Sequence, residues 1–374
     1  MTSERKLDHI RICLTKDVQS LHKRPGFLDI ELIHNALPEI DLSDVSTETE
    51  FFGKRIAAPL AIAGMTGGHP IAMRINEALA KAAQEARIAM GIGSQRAAIE
   101  DPSLEESYSI VRKVAPDIPI IANLGAPQLS RGYGIGEARK AVEMVEADAL
   151  AIHLNPLQEA VQTEGETKTS GVLDKIGRIA SKLDVPLIAK ETGCGIAYEE
   201  ACKLLDCNVK GVDVGGAGGT SWAAVEAYRE LAQTPSNADG YHMGLIFRDW
   251  GIPTAASVLE VSLVKSLTII ATGGVRNGID VAKSIALGAN IAGVALPLLS
   301  PAYSGDQTTL AAMIKRMIRE LRTSMYLTGS KDLKDLATAN LVIGGELAEW
   351  VTARGIDLKS LAKRRSPLPK RSTP

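Results

Sequence analysis

Cysteine is scarce in this chain. Cys13, Cys194, Cys202 and Cys207 are the whole supply in 374 residues. Their spacing fits no zinc pattern, and Cys202 and Cys207 fall on what reads as one helix and its exit. Reduced thiols in a cytosolic protein are expected instead. Cys194 lies in a glycine-rich loop, where a nucleophile and a packed thiol are both open readings. Aromatics are only 4% and the net charge is −2, so neither base-stacking surfaces nor a polyanion-binding face is expected, and nucleic acid is excluded as the natural partner. No apolar run approaches the ~18 residues of a membrane span. The charged start Met1-Thr2-Ser3-Glu4-Arg5-Lys6 is followed by no apolar segment, so no signal peptide is expected. A cytoplasmic location follows from these absences.

What is present is a repeat of strand and helix. Apolar runs recur at Pro59–Gly64, Ala89–Gly93, Pro119–Asn123, Ala147–His153, Pro186–Lys190, Val209–Val214, Leu267–Thr272 and Ile291–Leu296. Helical patterns lie between most of them, among them Ile71–Ala86, Gly136–Glu146, Gly171–Leu183, Ala197–Leu205 and Ile279–Leu287. Near-continuous apolar strands alternating with helices predict a parallel sheet buried on both faces. Eight units over about 250 residues predict an α/β fold, a closed (β/α)8 TIM barrel. The expected organisation is an N-terminal arm at 1–55, the barrel at 56–305, C-terminal helices at 306–362 and a solvated basic tail at 363–374. Within the C-terminal part, Thr308–Leu327, Leu333–Ala337 and Glu346–Arg354 read as helices. Residues 222–253 read as a long connection after the sixth strand, with turn signals at Pro235-Ser236-Asn237 and Asp239-Gly240.

The stretch Ala271-Thr272-Gly273-Gly274-Val275-Arg276-Asn277-Gly278 is the most informative. A strand ending in Gly-Gly before a helix lets backbone N–H groups approach a phosphate, with the helix N-terminus adding positive charge. With the end of the eighth run it predicts the phosphate site that many such barrels build after strands 7 and 8; an ordinary glycine turn is the alternative. The other strand ends bring Gly64-Met65-Thr66, Ser94-Gln95-Arg96, Asn123, His153 to Glu159, Lys190 and Thr220-Ser221-Trp222 toward one cavity. A buried Lys190 needs an anionic or electron-rich partner. The N1–C2=O edge of a flavin is one; Glu191 is another. Arg5, Lys6 and His9 fit a solvated basic start, or with Arg96 a diphosphate clamp. Glu159 beside a diphosphate would call for Mg2+, and otherwise is an exposed helix start. His153 can be a satisfied core histidine or a catalytic one, and Trp222 can wall an apolar pocket or pack beneath a loop.

Arg5-Lys6-Leu7-Asp8-His9, Gly64-Met65-Thr66-Gly67-Gly68, Gly93-Ser94-Gln95-Arg96, His153-Leu154-Asn155-Pro156-Leu157-Gln158-Glu159, Gly218-Gly219-Thr220-Ser221-Trp222 and Ala271-Thr272-Gly273-Gly274 together resemble the type 2, FMN-dependent isopentenyl diphosphate isomerases of archaeal type. The resemblance runs from Arg5 to about Trp350. It implies interconversion of isopentenyl and dimethylallyl diphosphate with reduced FMN, Mg2+ and NAD(P)H as reductant, in a homotetramer or homo-octamer. It implies FMN contacts from Gly64, Met65, Thr66, Ser94, Asn123, Lys190, Thr220, Gly273, Gly274, Arg276, Ala295 and Leu296. Substrate contacts are implied for Arg5, Lys6, His9, Ser94, Gln95, Arg96, Gln158 and Trp222, catalytic or positioning roles for His153, Asn155, Gln158 and Lys190, and metal ligation for Glu159.

Moving a double bond by one carbon needs one proton added and another removed, with no net electron transfer. No carboxylate pair is evident at the strand ends, so the N5 or N1 edge of the reduced flavin is the expected locus of that proton chemistry. Two other flavin- or nucleotide-using barrels are less well matched. A 2-hydroxy acid oxidase wants a histidine base near the sixth strand end, and a guanylate or inosinate dehydrogenase wants a cysteine there. Gly215–Trp222 has neither. A non-catalytic flavin-binding barrel would have no use for Arg5, Lys6, His9, Arg96 and Glu159 together.

Overall fold

The computed structural model describes residues 2–233 and 238–365. Eight parallel strands close into a barrel: β1 (Leu60–Ile62), β2 (Ala89–Gly91), β3 (Ile120–Gly125), β4 (Ala149–Leu154), β5 (Leu187–Glu191), β6 (Gly211–Asp213), β7 (Thr268–Ala271) and β8 (Ile291–Val294). The ring closes where Ala292 of β8 pairs with Leu60 of β1. Each strand is short and mostly apolar, as burial between an inner core and an outer helix layer requires, with Asn123, His153, Lys190, Glu191 and Asp213 toward the C-terminal ends. The eight apolar runs of the sequence are the eight barrel strands.

Local chemistry sets the helix limits. The helix Pro70–Ala86 opens with His69, whose Nδ1 accepts from Ile71 N at 3.1 Å, and with Pro70, which needs no N–H partner in the first turn. It stops at Arg87, which adopts a left-handed conformation. The long C-terminal helix Gln307–Leu327 packs on Pro70–Ala86 and on Gly278–Leu287. At Gly278 the backbones touch: a Cβ there would meet Met317 O at 2.0 Å.

The N-terminal arm is more structured than its lack of pattern suggested. It begins with the helix Thr2–Thr15. Its strand Ile30–Leu32 pairs antiparallel with Leu341–Ile343, tying the arm to the C-terminal helices. A hairpin, Thr49–Phe51 with Lys54–Ile56, plugs the N-terminal end of the barrel. Phe51 and Ile56 are buried against Ala61, Ala89, Ala149 and Ile291 at the starts of the strands. Lys54 Nζ holds Asp148 Oδ1 at 2.9 Å, fastening the plug to the segment before β4.

Two expectations need correction. The 222–253 connection is not an irregular loop, since Trp222–Gln233 and Ala238–Ile246 are helices packed on each other. Asp239-Gly240 sits inside the second helix, while Pro235-Ser236-Asn237 lies outside the described residues. The helical period of Trp222–Gln233 was masked because it buries alanines together with the charged residues Glu226, Arg229 and Glu230. The basic tail is not free from its start either. Arg364 Nη1 donates to Ala286 O at 2.6 Å, and Arg365 Nη1 to Thr328 O at 2.9 Å. Residues 366–374 lie outside the described residues.

Truncating the plug should loosen the barrel. Phe51→Ala removes a buried ring from a site that cannot collapse, and denaturant unfolding should show a loss of about 3–5 kcal/mol. An unchanged midpoint would mean that the hairpin does not contribute to the barrel core.

Candidate active site

A cavity of ≈ 250 Å³ opens at the C-terminal ends of the strands. This is the face on which barrels of this kind place their chemistry. Residues from all eight strand ends line it, and the helix Thr2–Thr15 closes one side with Arg5, Lys6 and His9. Of the residues expected to touch cofactor, substrate or metal, all but Gln95 border this cavity. Gln95 is fully buried behind the wall. Its Nε2 donates to Ala141 O at 2.7 Å and its Oε1 accepts from Asn123 N at 2.9 Å. It therefore fixes the β3 end rather than touching a ligand, and the expected substrate contact is corrected to a positioning one.

One end of the cavity is a backbone cup. Gly273 and Gly274 both have positive φ, and a Cβ on Gly273 would meet Gly216 O at 2.2 Å. Ala295 and Leu296 line the same cavity where the helix Leu296–Ser304 begins; Pro297 has no N–H, and Leu298 N donates to Ala295 O at 2.9 Å. Arg276 adds a guanidinium, which donates to Gln19 Oε1 at 2.8 Å. The helix expected to contribute its N-terminus does not. It runs Gly278–Leu287, and its first N–H groups are taken by Asn277 Oδ1 and by Glu320 Oε2 from the C-terminal helix. The cup is built by the Gly-Gly turn and the β8 exit.

The floor carries Lys190 and Asn123. Lys190 Nζ pairs with Asp213 Oδ2 at 3.1 Å, not with the neighbouring Glu191 side chain. Glu191 turns the other way: Gly193 N donates to its Oε2 at 2.6 Å, and Cys194 N donates to the same oxygen. Burial pushes the Glu191 carboxyl up to about 7, against those backbone donors. Cys194 is not in the cavity wall, and burial, then Glu191, push its thiol upward, so the packed-thiol reading holds. Nothing in the sequence patterning singled out Asp213; the only signal was a carboxylate inside an apolar run.

The opposite end is crowded with positive charge. Arg5, Lys6 and Arg96 all face it. Lys6 Nζ donates to Ser94 O at 2.7 Å and to Tyr108 Oη at 3.1 Å, and neither is an anion. Burial, then Arg96 and Arg5, bring the Lys6 ammonium down to about 7. Burial and Arg5 likewise lower Arg96. His153 donates from Nδ1 to Asn123 Oδ1 at 2.7 Å. Burial, then Lys190, Lys6, Arg96 and Arg5, hold it at about 3, so it is neutral at physiological pH. The two arginines meet carboxylates at long range: Arg5 lies 3.8 Å from Glu164, and Arg96 lies 3.7 Å from Glu100.

Glu159 closes the group. Its Oε1 accepts from Asn155 Nδ2 at 2.9 Å, and its Oε2 from Gln162 Nε2 and Glu166 N at 2.7 Å each. An ionised carboxylate has about four lone-pair directions, so capacity for a cation remains. No cluster of three or more His, Cys, Asp or Glu occurs among the described residues. That suits an ion taking one protein carboxylate with substrate oxygens and water, rather than a protein cage. Gln158 Nε2 donates to Glu226 Oε1 at 2.7 Å, and His9 Nε2 lies 3.0 Å from the same atom. Burial alone would raise Glu226, but His9, Arg229 and Gln158 bring it down to about 2. Trp222 meets the His9 ring edge-on, centroids 5.2 Å apart. Glu226 and Tyr108 were not foreseen: a glutamate within a helix and a tyrosine far along the chain carry no pattern of their own.

Comparison with known proteins agrees with this arrangement. The family model described as FMN-dependent dehydrogenase matches residues 2–111 and 136–343. The isopentenyl-diphosphate delta-isomerase of Methanothrix thermoacetophila is 51% identical over 97% of this chain and 99% of its own length. That of Thermococcus kodakarensis is 48% identical over 98% and 97%, and that of Methanothermobacter thermautotrophicus 46% over 97% and 100%. A solved mandelate oxidase superposes with a TM-score of 0.60 at 19% identity, covering 91% of this chain and 97% of the other, a likeness of fold alone. With a closed barrel, this cavity and relatives of that identity along nearly its whole length, the chain belongs to the FMN-dependent dehydrogenase family and, within it, to the isopentenyl-diphosphate delta-isomerases.

Proposed function

We propose that this chain interconverts isopentenyl and dimethylallyl diphosphate, with FMN, Mg2+ and NAD(P)H as reductant. One observation carries the reading: Arg5, Lys6 and Arg96 crowd one end of a cavity whose other end is a glycine phosphate cup. Two anionic groups, one at each end, relieve that charge. The same reading includes a cytoplasmic homotetramer or homo-octamer.

The residues fit FMN. Thr66 Oγ1 and Asn155 Oδ1 are buried without a hydrogen-bond partner, in a cavity where a ligand can supply one. Gly273, Gly274, Arg276, Ala295 and Leu296 would take the phosphate. Gly64, Met65, Thr66, Ser94, Asn123, Lys190 and Thr220 would surround the ring. When bound, FMN supplies an electron-rich face and exchangeable ring nitrogens.

The side chains do the rest. Arg5, Lys6, His9, Arg96 and Ser94 bind and orient the diphosphate. Glu159, whose carboxylate accepts from three donors, would hold Mg2+ against it. His153 is neutral and, with Nδ1–H spent on Asn123, presents Nε2 as an acceptor. It can take or orient a proton but adds no charge to the diphosphate end. Asn155 Nδ2 donates to Gln158 Oε1 at 3.1 Å and Gln158 Nε2 donates to Glu226, so the Gln158 amide is held at both ends. Trp222 walls the apolar part and excludes water from it.

The two ends should separate under mutation. Arg96→Ala should raise KM for the diphosphate about 10- to 150-fold, the loss of a charge-assisted contact of ~1.5–3 kcal/mol, with FMN content unchanged. Arg276→Ala should lower FMN retention instead, measured by absorbance after gel filtration. Loss of FMN in Arg96→Ala would sink the clamp.

The Lys6 ammonium gives a pH test. Below about 7 it is charged and binds the diphosphate; above that it is a neutral amine. Because kcat/KM reports the free enzyme, it should fall by about tenfold or more as pH rises through 7, then level off. Lys6→Met should start from a lower value and lack that limb. A wild-type profile flat from pH 6 to 9 would remove Lys6 from the binding step.

A further inference from the structure

The floor of the cavity holds a charge pair of which the proposed chemistry uses only the lysine. Asp213 Oδ2 lies 3.1 Å from Lys190 Nζ, and both side chains are largely buried. The carboxylate is fixed on its other side. Gly215 N donates to Thr272 Oγ1 at 3.1 Å, which leaves the hydroxyl hydrogen of Thr272 free to donate to Asp213 Oδ1. One oxygen of Asp213 is thereby held by β7 and the other is aimed at Lys190. A second, water-sized void of ≈ 20 Å³ lies directly beneath, inside the barrel. Asp213, Lys190, Thr272 and Asn123 border it, and Ile121, Ile188 and Ile270 form its apolar wall. Lys190, Thr272 and Asn123 also line the main cavity, whereas Asp213 borders only the inner void.

Asp213 therefore sits one step behind the wall that would face the flavin. We infer that Asp213 is a positioning residue that sets how much positive charge Lys190 presents to the ring, and so the balance between oxidised and reduced FMN. This rests on the reading of Lys190 as a flavin contact. The physics is direct. Reduction adds electron density to the N1–C2=O edge. A lone ammonium there favours the reduced form, and an ammonium paired with a carboxylate favours it less. Apolar walls keep the local dielectric low, so the pairing would be felt by a ring seated against Lys190. An isomerase gains no net electrons per turnover, so holding its flavin at a chosen potential is a separate task from the reaction, and a neutralised lysine performs it.

The test uses purified, FMN-loaded protein, anaerobically equilibrated with a reference dye. Asp213→Asn leaves Lys190 unpaired, and the reduced-to-oxidised ratio at a fixed dye potential should rise at least tenfold, about 30 mV for a two-electron couple. Asp213→Glu, which keeps the charge, should stay within about threefold of wild type. Asp213→Asn can fail to fold, because it strands a buried ammonium. The double variant Lys190→Gln/Asp213→Asn strands neither charge and should also stay within about threefold. Lys190→Gln alone leaves the carboxylate uncompensated and should lower the ratio at least tenfold. A ratio unmoved in both single variants, or a double variant displaced as far as Lys190→Gln, overturns the inference while FMN binding stands. Failure of the wild-type protein to bind FMN at all overturns instead the reading on which it depends.

Discussion

Positive charge confined in a poorly solvated cavity is the constraint around which this molecule is arranged. Burial first, and then the neighbouring Arg96 and Arg5, bring the Lys6 ammonium down to about 7. A folded protein keeps such a cluster only when something holds the segments that carry it. Here the holding is done at one carboxylate. Glu226 contacts His9 of the N-terminal helix, Gln158 from the β4 exit and Arg229 of its own helix. A buried, fully engaged carboxylate of this kind loses several kcal/mol if a partner is removed, because the remaining charges stay buried. The clamp is thus strained by its own charge and braced by a neighbouring ion pair network.

The barrel supplies the geometry that makes the strain useful. Backbone turns at Gly273-Gly274 and the start of Leu296–Ser304 form one anion site, and side chains from the N-terminal helix and the β2 exit form the other. Between them stand neutral groups: Asn123, His153, Asn155 and Gln158. Burial first, then Lys190 and those same cations, hold His153 neutral. The clamp cations hold one end and Arg276 the other, Lys190 on the floor is compensated by Asp213, and the amides and neutral imidazole between them suit a proton-shifting reaction on a hydrocarbon. The plug at the opposite end of the barrel, with Phe51 and Ile56, keeps water from entering through the floor.

The strands were legible because each carries a short, largely apolar run, and most site residues were legible because they stand at or just after the ends of those runs. Other features could not be read locally. Trp222–Gln233 hides its helical face by burying Glu226 and Arg229, which look solvent-exposed in a one-dimensional pattern. Gln95 sits between two residues that do line the cavity, yet its side chain turns behind the wall to Asn123 and Ala141. Neighbouring residues in a tight turn point in different directions, and spacing alone does not say which faces in.

The sequence by itself determined the barrel, the cup of glycines and the inventory of cations and amides at the strand ends, since these depend on local periodicity and on residue type. Pairing was decided only in three dimensions. Lys190 chose Asp213 over the adjacent Glu191 because parallel β5 and β6 set Lys190 beside Asp213 in register, while the backbone N–H groups of Gly193 and Cys194 drew Glu191 away. The same holds for the helix at Gly278: its N-terminus is spoken for by Asn277 and by Glu320 from a helix forty residues on. Partners distant in the chain compete for each charge and each donor, and only the folded packing determines which of them arrives within hydrogen-bonding distance.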